Sequence, residues 1–191
     1  MAAALFVISS PSGGGKTTVA KELCQRMPDL GRSISFTTRE PRVGEKDGVD
    51  YRFVSIREFE QMKSEGKLLE WASVHDAYYG TPKEPIEKLI AAGKSVVLCI
   101  DVQGARAIKE EVPDSAVLIF LMPPSVEALS ERLKNRSTET ETSLQIRLAA
   151  AREEMACASW YDHEVVNDEL NHAVEQIEAI IQKAHYLKES N

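Results

Sequence analysis

A glycine-rich turn near the amino terminus contains residue types that can bind phosphate. Residues 10–19 read SPSGGGKTTV and follow the apolar run at residues 5–8. The glycines allow backbone angles and close approaches that side chains would prevent, so that N–H groups can converge on phosphate oxygens. Lys16 supplies positive charge for terminal phosphates, and the Thr17 hydroxyl is placed to coordinate Mg²⁺. This chemistry predicts a protein that handles nucleotides.

The turn departs at one position from the usual phosphate-loop pattern of glycine, four free positions, glycine, lysine and serine or threonine. Gly15, Lys16 and Thr17 fit the pattern, whereas Ser10 stands in place of the opening glycine. A serine is compatible there if its backbone angles are ordinary, and its hydroxyl can help to bind phosphate. A glycine-rich turn without a ligand is the alternative. The order of strand, loop, Lys-Thr and helix favours the phosphate loop.

A second group of polar residues lies in the segment SISFTTREPRVGEKDGVDYRF, residues 33–53. Arg39 and Arg42 lie close in sequence to Tyr51. A guanidinium presents a planar fork that binds phosphate through two hydrogen bonds, and a phenol adds a directed hydrogen bond without further charge. These residues predict a second phosphate clamp. A solvated charged loop is the alternative, and this segment alone leaves both open.

A carboxylate stands in an apolar setting further along the chain, at Glu70 in LLEWASV. Burial of a carboxylate is costly unless it is paired. Guanine offers a match, because its N1–H and exocyclic amine are adjacent donors, whereas adenine presents a donor beside an acceptor. Glu70 is therefore a candidate base reader. Ser35 and Thr81 can contact the other polar edge of the base, and Tyr79 can join the phosphate clamp. The alternatives are a strand-surface glutamate, an edge serine, a helix cap and a packed aromatic ring.

Two further stretches carry charge where a reaction could use it. Asp101 ends an apolar strand, and α/β folds place functional side chains at that edge of the sheet. It can hold Mg²⁺ through water, contact guanine or cap the next helix. Arg136 and Arg147 flank a polar acidic stretch, where they can bring late positive charge to a transferring phosphoryl group. Exposed salt bridges to neighbouring glutamates are the alternative for both arginines.

Alternating apolar runs and amphipathic stretches predict an α/β fold with a parallel sheet flanked by helices. We expect a helix directly after the phosphate loop, and a small β-rich insertion between that helix and Thr81. Thr81 and Glu84 predict a capping box for the helix that follows this insertion, which Gly93 would end. A second capping box, Thr138 with Glu141, predicts a helix that runs to about Ser159. The predicted strands are residues 5–9, 95–100, 116–121 and 164–166, and the other predicted helices are residues 82–92, 102–111, 126–135 and 170–188.

Composition limits the remaining possibilities. The 191 residues, 43% of them hydrophobic, suffice for one domain with small inserted subdomains. A net charge of −7 argues against a general nucleic-acid surface. Cys24, Cys99 and Cys157 are widely spaced and indicate reduced thiols and a cytoplasmic location. The start of the chain has no basic leader and no apolar run has the length of a membrane helix, so we expect neither export nor a membrane partner.

The ordered motifs resemble the guanylate kinase family over nearly the whole chain. They are the phosphate loop, TTREPRVGEKDGVDYRF, YYGT, IDVQG and RSTETETSLQIRL. The resemblance implies a P-loop NTPase-type sheet and transfer of the γ-phosphoryl group of ATP to GMP, with dGMP as an expected second acceptor, ATP and Mg²⁺ being required. It also implies one domain, 1–191, made of a core (1–32, 83–124 and 160–191), a GMP-binding subdomain (about 33–82) and a helical lid (about 125–159). Whether the chain forms a homo-oligomer stays open.

The resemblance also assigns site residues by matching position. Catalytic roles fall on Lys16, Arg136 and Arg147, and the metal ligand is Thr17. The ATP site falls on Ser12, Gly13, Gly14, Gly15, Lys16, Thr17 and Thr18. The GMP site falls on Ser35, Arg39, Arg42, Glu45, Tyr51, Glu70, Tyr79, Thr81 and Asp101. Asn167 and Asp168 are expected near the adenine.

Two rival functions remain at this point. Guanylate-kinase-like domains also serve as non-catalytic modules that bind phosphorylated ligands. Such modules typically lose phosphate-loop residues, whereas Lys16 and Thr17 are present here. A kinase for another phosphorylated acceptor is the second rival, and it would be expected to differ at Glu70 and in the YYGT segment.

Overall fold

Strands and helices alternate along most of the chain. The structure, a computed structural model, describes residues 3–74, 76–113, 115–134 and 141–189. The strands are β1 (Leu5–Ser9), β2 (Leu30–Arg32), β3 (Phe36–Thr37), β4 (Arg52–Phe53), β5 (Leu68–Val74), β6 (Ala77–Pro82), β7 (Ser95–Cys99), β8 (Ala116–Met122) and β9 (His163–Val166). The helices are α1 (Lys16–Arg26), α2 (Ile56–Ser64), α3 (Lys83–Ala91), α4 (Val102–Glu111), α5 (Val126–Lys134), α6 (Glu141–Ala156) and α7 (Leu170–Glu189), with a short 3₁₀ helix at Cys157–Trp160.

A parallel sheet with the order β2-β7-β1-β8-β9 forms the centre of the fold. Its three central strands, β7, β1 and β8, are apolar runs because helices cover both faces. Along β1, Phe6 and Ile8 pack into one core cluster, while Leu5 and Val7 pack into the other. The carboxyl ends of parallel strands meet at one edge of a sheet, so the loops after β1, β7, β8 and β9 lie together there. The predicted α/β class is confirmed.

Two layers of helices bury the two faces of this sheet. Leu23 of α1 and Ile177 of α7 belong to the cluster on one face, and both side chains are fully buried. Ile86 of α3 and Ile108 of α4 belong to the cluster on the other face. A third cluster joins α5 to α6 through leucines of both helices, among them Leu133 and Leu148. The helix pair α5–α6 therefore has a small core of its own.

A second sheet, with the order β4-β3-β6-β5, stands where the sequence predicts a β-rich insertion. Strands β3 and β6 are antiparallel, as are β5 and β6. Helix α2 packs on this sheet through Phe59, whose ring stacks on Tyr78 with centroids 5.3 Å apart. Gly80 makes the close approach possible, because a Cβ there would lie 3.0 Å from Phe59 Cζ.

The third helix starts differently from the prediction. It begins at Lys83, with Pro82 as its N-cap residue and no side-chain cap. The predicted capping box is wrong, because the Thr81 hydroxyl donates to Glu70 instead and Glu84 pairs with Lys88. Gly93 does end the helix, since its φ of 75° is accessible mainly to glycine and its N–H donates to the carbonyl of Ile90.

Sequence patterns missed two elements and misjudged several ends. Neither β2 nor α2 was expected, and β7 ends at Cys99 rather than at residue 100. Strands β8 and β9 are each one residue longer than predicted, and α6 ends at Ala156, where the chain tightens into the 3₁₀ helix. Asn135 and the predicted cap Thr138 lie outside the described residues. Within the described ranges, no helix is both long and apolar enough to cross a membrane.

Removal of the α2 cap tests how much this cap contributes to the stability of the helix that packs on the second sheet. Ser55 and Glu58 form a capping box at the start of α2. We expect Ser55→Ala to lower the free energy of unfolding by about 1 kcal/mol, because the backbone N–H of Glu58 loses its acceptor. Ser64→Ala is the matched control, since that hydroxyl bonds only the Gln61 carbonyl on the exposed end of the same helix. Urea unfolding measures both, and equal losses would contradict the role of the cap.

Candidate active site

One cleft gathers most of the polar residues singled out above. It has a volume of about 1100 Å³ and lies between the carboxyl edge of the parallel sheet and the second sheet. Pockets for one small ligand usually measure about 300–1,000 Å³, so this cleft is larger than a typical site for a single ligand. Residues 10–13 and 15–18 line one part of it, and residues of β5, β6 and the loops on either side of β3 line the other.

The phosphate loop has the backbone that its glycines were expected to provide. Gly13 and Gly15 have φ angles of 92° and 99°, where other residues would be strained. Ser10 has no such angle, which explains why serine is tolerated in place of the usual glycine. Its hydroxyl donates to the carbonyl of Pro11. A Cβ on Gly14 would collide with the Ser10 hydroxyl, so the loop is closely packed.

Two cations approach the loop from different elements. Lys16, at the start of α1, donates from Nζ to the carbonyl of Ser10 and so arches over the loop. Arg147 of α6 donates to the hydroxyl of Ser12 at 3.0 Å. Helix α6 therefore already carries this guanidinium to the phosphate loop. Arg136 lies outside the described residues.

Asn167 supports the loop from behind, a role that sequence reasoning missed when it placed this residue near a base. Its Nδ2 donates to the Gly14 carbonyl at 2.8 Å, and the side chain is buried. A Cβ on Gly15 would lie 2.5 Å from the same nitrogen. The carbonyl of Asn167 accepts from Arg132 of α5. Its position just after β9, at the carboxyl edge of the sheet, was the available signal.

The arginine-rich loop places its groups close together at the far end of the cleft. Arg39 makes two hydrogen bonds of 2.7 Å to the Glu45 carboxylate, and its guanidinium lies 5.1 Å from the centre of the Tyr51 ring. Burial opposes ionisation of Glu45, but the hydrogen bonds from Arg39 and the Arg42 backbone outweigh it and lower its pKa. Burial raises the pKa of Tyr51 to about 12, so its phenol stays a neutral donor. Arg42 and Tyr79 line the same part of the cleft.

Glu70 is the unusual group of the cleft, because its side chain is 6% exposed and faces no cation in the contacts that set its pKa. An irregularity in the pairing of β5, between Leu68 and Glu70, precedes it. Burial raises its pKa to about 7, and the hydrogen bond from Thr81 and the charge of Asp101 modify this value. Ser35 lines the cleft nearby. Thr81 is fully buried behind Glu70, and its hydroxyl donates to the Glu70 carboxylate and orients it. Thr81 is not one of the described residues that line the cleft.

Two more carboxylates lie on the cleft wall. Asp101 is the N-cap of α4 and accepts from the N–H of Gly104 at 2.8 Å, which realises one of the three roles that the sequence left open. Glu154 of α6 was not singled out as a site residue. Burial raises the pKa of Glu154, and the nearby Lys16 charge only partly offsets this rise. Cys99 also lines the cleft, and burial raises its pKa to about 11, which keeps its thiol protonated at neutral pH.

The donor set suits Mg²⁺ bound mainly by phosphate oxygens. Mg²⁺ usually keeps several waters and takes one or two protein ligands together with substrate phosphates. Thr17 places one hydroxyl beside the phosphate loop, with Asp101 on the same cleft. No cluster of three acidic, histidine or cysteine ligands that could form an all-protein site occurs in the described part of the chain. A single hydroxyl beside a phosphate cradle fits this mode of binding.

Comparisons with known proteins agree with this geometry. A family model described as guanylate kinase matches residues 2–184. The guanylate kinase of Gloeobacter violaceus is 51% identical over 177 residues, which is 93% of this chain and 86% of that protein. The guanylate kinase of Caldanaerobacter subterraneus subsp. tengcongensis is 50% identical over 93% of this chain and 85% of its own length.

A solved structure shares the fold as well. The crystal structure of guanylate kinase from Anaplasma phagocytophilum superposes with a TM-score of 0.79. It is 33% identical in sequence and covers 96% of this chain and 86% of its own.

The burial of Glu70 predicts a dependence of stability on pH. Its pKa is about 7 in the fold against an ordinary 4.5, so its stabilising contribution is complete below about pH 4.5 and is lost as the pH rises through 7. Relative to Glu70→Gln, the free energy of unfolding of the unaltered protein should fall by about 3 kcal/mol between pH 4.5 and 8. Urea unfolding at a series of pH values measures this. Glu87→Gln, an exposed site, is the control, and a difference independent of pH would contradict the prediction.

Proposed function

The chain belongs to the guanylate kinase family and transfers the γ-phosphoryl group of ATP to GMP, and we propose that the cleft between the two sheets is where this transfer occurs. One observation carries the proposal. The phosphate loop and the buried base reader Glu70 open on the same cleft, which is larger than a typical site for a single ligand. Two nucleotides bound there would point their phosphates toward each other, and Lys16, at the end of the loop, would contact the phosphates where they meet.

At the ATP end, the loop from Ser12 to Thr18 holds the phosphate chain. Backbone N–H groups of the loop and the start of α1 supply directed donors and the positive end of the helix dipole. Lys16 adds a full charge at the terminal phosphates. Asn167 fixes the loop by holding the Gly14 carbonyl, so that the donors keep their direction.

At the GMP end, different groups bind the phosphate and the base. Arg39, Arg42, Tyr51 and Tyr79 form the clamp for the phosphate. Glu45 acts by holding Arg39, because its carboxylate is occupied by two hydrogen bonds from that guanidinium. A preformed guanidinium needs little further ordering when the phosphate arrives.

Guanine is read by carboxylates and hydroxyls at the base of the same end. The Glu70 carboxylate accepts both N1–H and the exocyclic amine, while Thr81 holds it in place. Ser35 contacts the opposite polar edge of the ring, and Asp101 borders the base from α4. Since the contacts involve the base rather than the sugar, dGMP serves as a second acceptor.

Charge neutralisation and alignment account for the transfer step. The acceptor oxygen of GMP is already ionised at neutral pH, so no general base is required. Lys16, Arg147 and Arg136 stabilise the charge on the transferring phosphoryl group. Thr17 would hold Mg²⁺, which supplies further neutralisation of the β- and γ-phosphates when bound.

Three units of the chain divide this work. The core, 1–32 with 83–124 and 160–191, carries the phosphate loop. The GMP-binding subdomain, about 33–82, carries the clamp and Glu70. The lid, about 125–159, carries Arg147 on α6; its two helices share a leucine cluster, and Arg132 ties α5 to the core through the Asn167 carbonyl. We place the protein in purine nucleotide metabolism in the cytoplasm, in keeping with its three free thiols.

A variant at Lys16 tests whether the loop is catalytic. Lys16→Ala should lower kcat by at least about 100-fold, because charge stabilisation in the transition state is lost. A coupled assay of ADP release with ATP and GMP measures this. Lys88→Ala, an exposed lysine of α3 paired with Glu84, is the control and should leave kcat unchanged. Near-normal turnover by the Lys16 variant would refute the assigned role.

A panel of acceptors tests the base reader. With ATP and Mg²⁺, we expect turnover with GMP and dGMP but not with AMP, CMP or UMP. Glu70→Gln should raise KM for GMP by about 10- to 100-fold and narrow the preference for GMP over AMP, since the amide cannot accept two donors together. Glu87→Gln removes one charge elsewhere and serves as the control. An unchanged preference in the Glu70 variant would rule out this reader, and bound GMP without any turnover would indicate a binding module.

A further inference from the structure

Helix α4 contains a glycine whose missing side chain leaves room for a functional group. Gly104 is buried in the first turn of α4, and a Cβ built there would lie 2.5 Å from Glu70 Oε2 and 3.0 Å from Glu70 Cδ. Real Cβ atoms do not approach other atoms this closely. The third neighbour, Ile100 Cδ1, is 3.3 Å away and is the end of a flexible side chain. The carboxylate of Glu70 is therefore the group that an alanine would displace.

Glycine is an unfavourable residue within a helix, so its presence calls for a physical reason. Backbone conformation gives none, because Gly104 is not among the glycines with positive φ. Ordinary capping gives none either, since any residue other than proline could donate the N–H that Asp101 accepts. The structure leaves one explanation for a glycine at position 104, which is that the Glu70 carboxylate needs the space a side chain would occupy.

The same glycine connects the two acidic groups of the guanine end. Its N–H donates to Asp101 Oδ1 at 2.8 Å, while its open face lies against Glu70 Oε2. The opposite oxygen, Glu70 Oε1, accepts from Thr81. The Glu70 carboxylate thus lies between the Thr81 hydroxyl on β6 and the α4 backbone at Gly104. Contact between α4 and β5 brings these elements together.

We propose that Gly104 is a specificity-determining positioning residue, which keeps the Glu70 carboxylate at the depth where it can accept both donors of the guanine edge. It touches neither nucleotide and acts only through Glu70. The inference rests on the proposed role of Glu70 as base reader. In addition to the hydrogen bond from Thr81, contact with the α4 backbone at Gly104 would then fix the position of the Glu70 carboxylate.

The test is a double-mutant cycle between the two positions. Gly104→Ala should weaken GMP binding by about 10- to 100-fold, because the methyl group pushes the carboxylate toward the base site. KM for ATP and kcat at saturating GMP should change little, since the phosphate loop is untouched. Glu70→Asp shortens the acid by one methylene and makes room for the methyl group. In that background, Gly104→Ala should change GMP affinity by no more than about threefold.

Controls separate this effect from loss of stability and from failure of the base reader. Ile108→Val removes one buried methyl group from the same helix and should leave the Kd for GMP unchanged. Calorimetric titration with GMP and thermal unfolding are measured for every variant. Gly104→Ala with unaltered GMP affinity, or with an equal loss in both backgrounds, would overturn the inference. If Glu70→Gln reduces GMP preference while Gly104→Ala does not, only this inference fails; if Glu70→Gln has no effect, the base reader fails and this inference with it.

Discussion

The parallel pairing of β1 with β7 and β8 is the constraint on which the site depends. It brings the carboxyl ends of these strands to one edge, so the phosphate loop after β1 and Asp101 after β7 lie on the same cleft. The pairing of β8 with β9 adds Asn167, which holds the loop from behind. Because the strands are buried on both faces, the edge cannot shift without exposing the core. The positions of these site residues are therefore fixed by buried strands of the core.

Electrostatics explains how an acidic protein can bind two polyanionic substrates. The net charge of −7 gives no general attraction for phosphate, so the cations must be local. Lys16 and Arg147 meet at the loop, and Arg39 is held at the other end by Glu45. Glu70 contributes a negative group instead, and hydrogen-bond donors of a base would offset the cost of burying its carboxylate. In the proposed arrangement, the positive and negative groups of one cleft set the direction in which a nucleotide lies.

Local patterns predicted the parts of this protein that depend on local physics. The β1-loop-α1 unit, α4 and the Gly93 terminus follow from apolar periodicity and glycine geometry. The patterns failed where a partner distant in sequence decides the outcome. Thr81 was expected to cap α3, but Glu70 on the neighbouring strand takes its hydroxyl. Asn167 and Gly104 gained their roles from contacts with residues 153 and 34 positions away, which no spacing rule contains. Helix α2 was missed although the sequence carries local signals for it, namely the Ser55–Glu58 capping box and apolar residues at 56, 59 and 62.

The proposed mechanism requires that one cleft binds the phosphate donor at the loop and guanine at Glu70. A crystal structure with an analogue in which adenosine and guanosine are joined by a chain of phosphates tests it most directly. We predict that a single analogue molecule spans the cleft, with the phosphates on residues 12–18 and Lys16, and with both guanine donors on the Glu70 carboxylate. Guanine bound away from Glu70, or a phosphate chain that does not reach the loop, would contradict this arrangement.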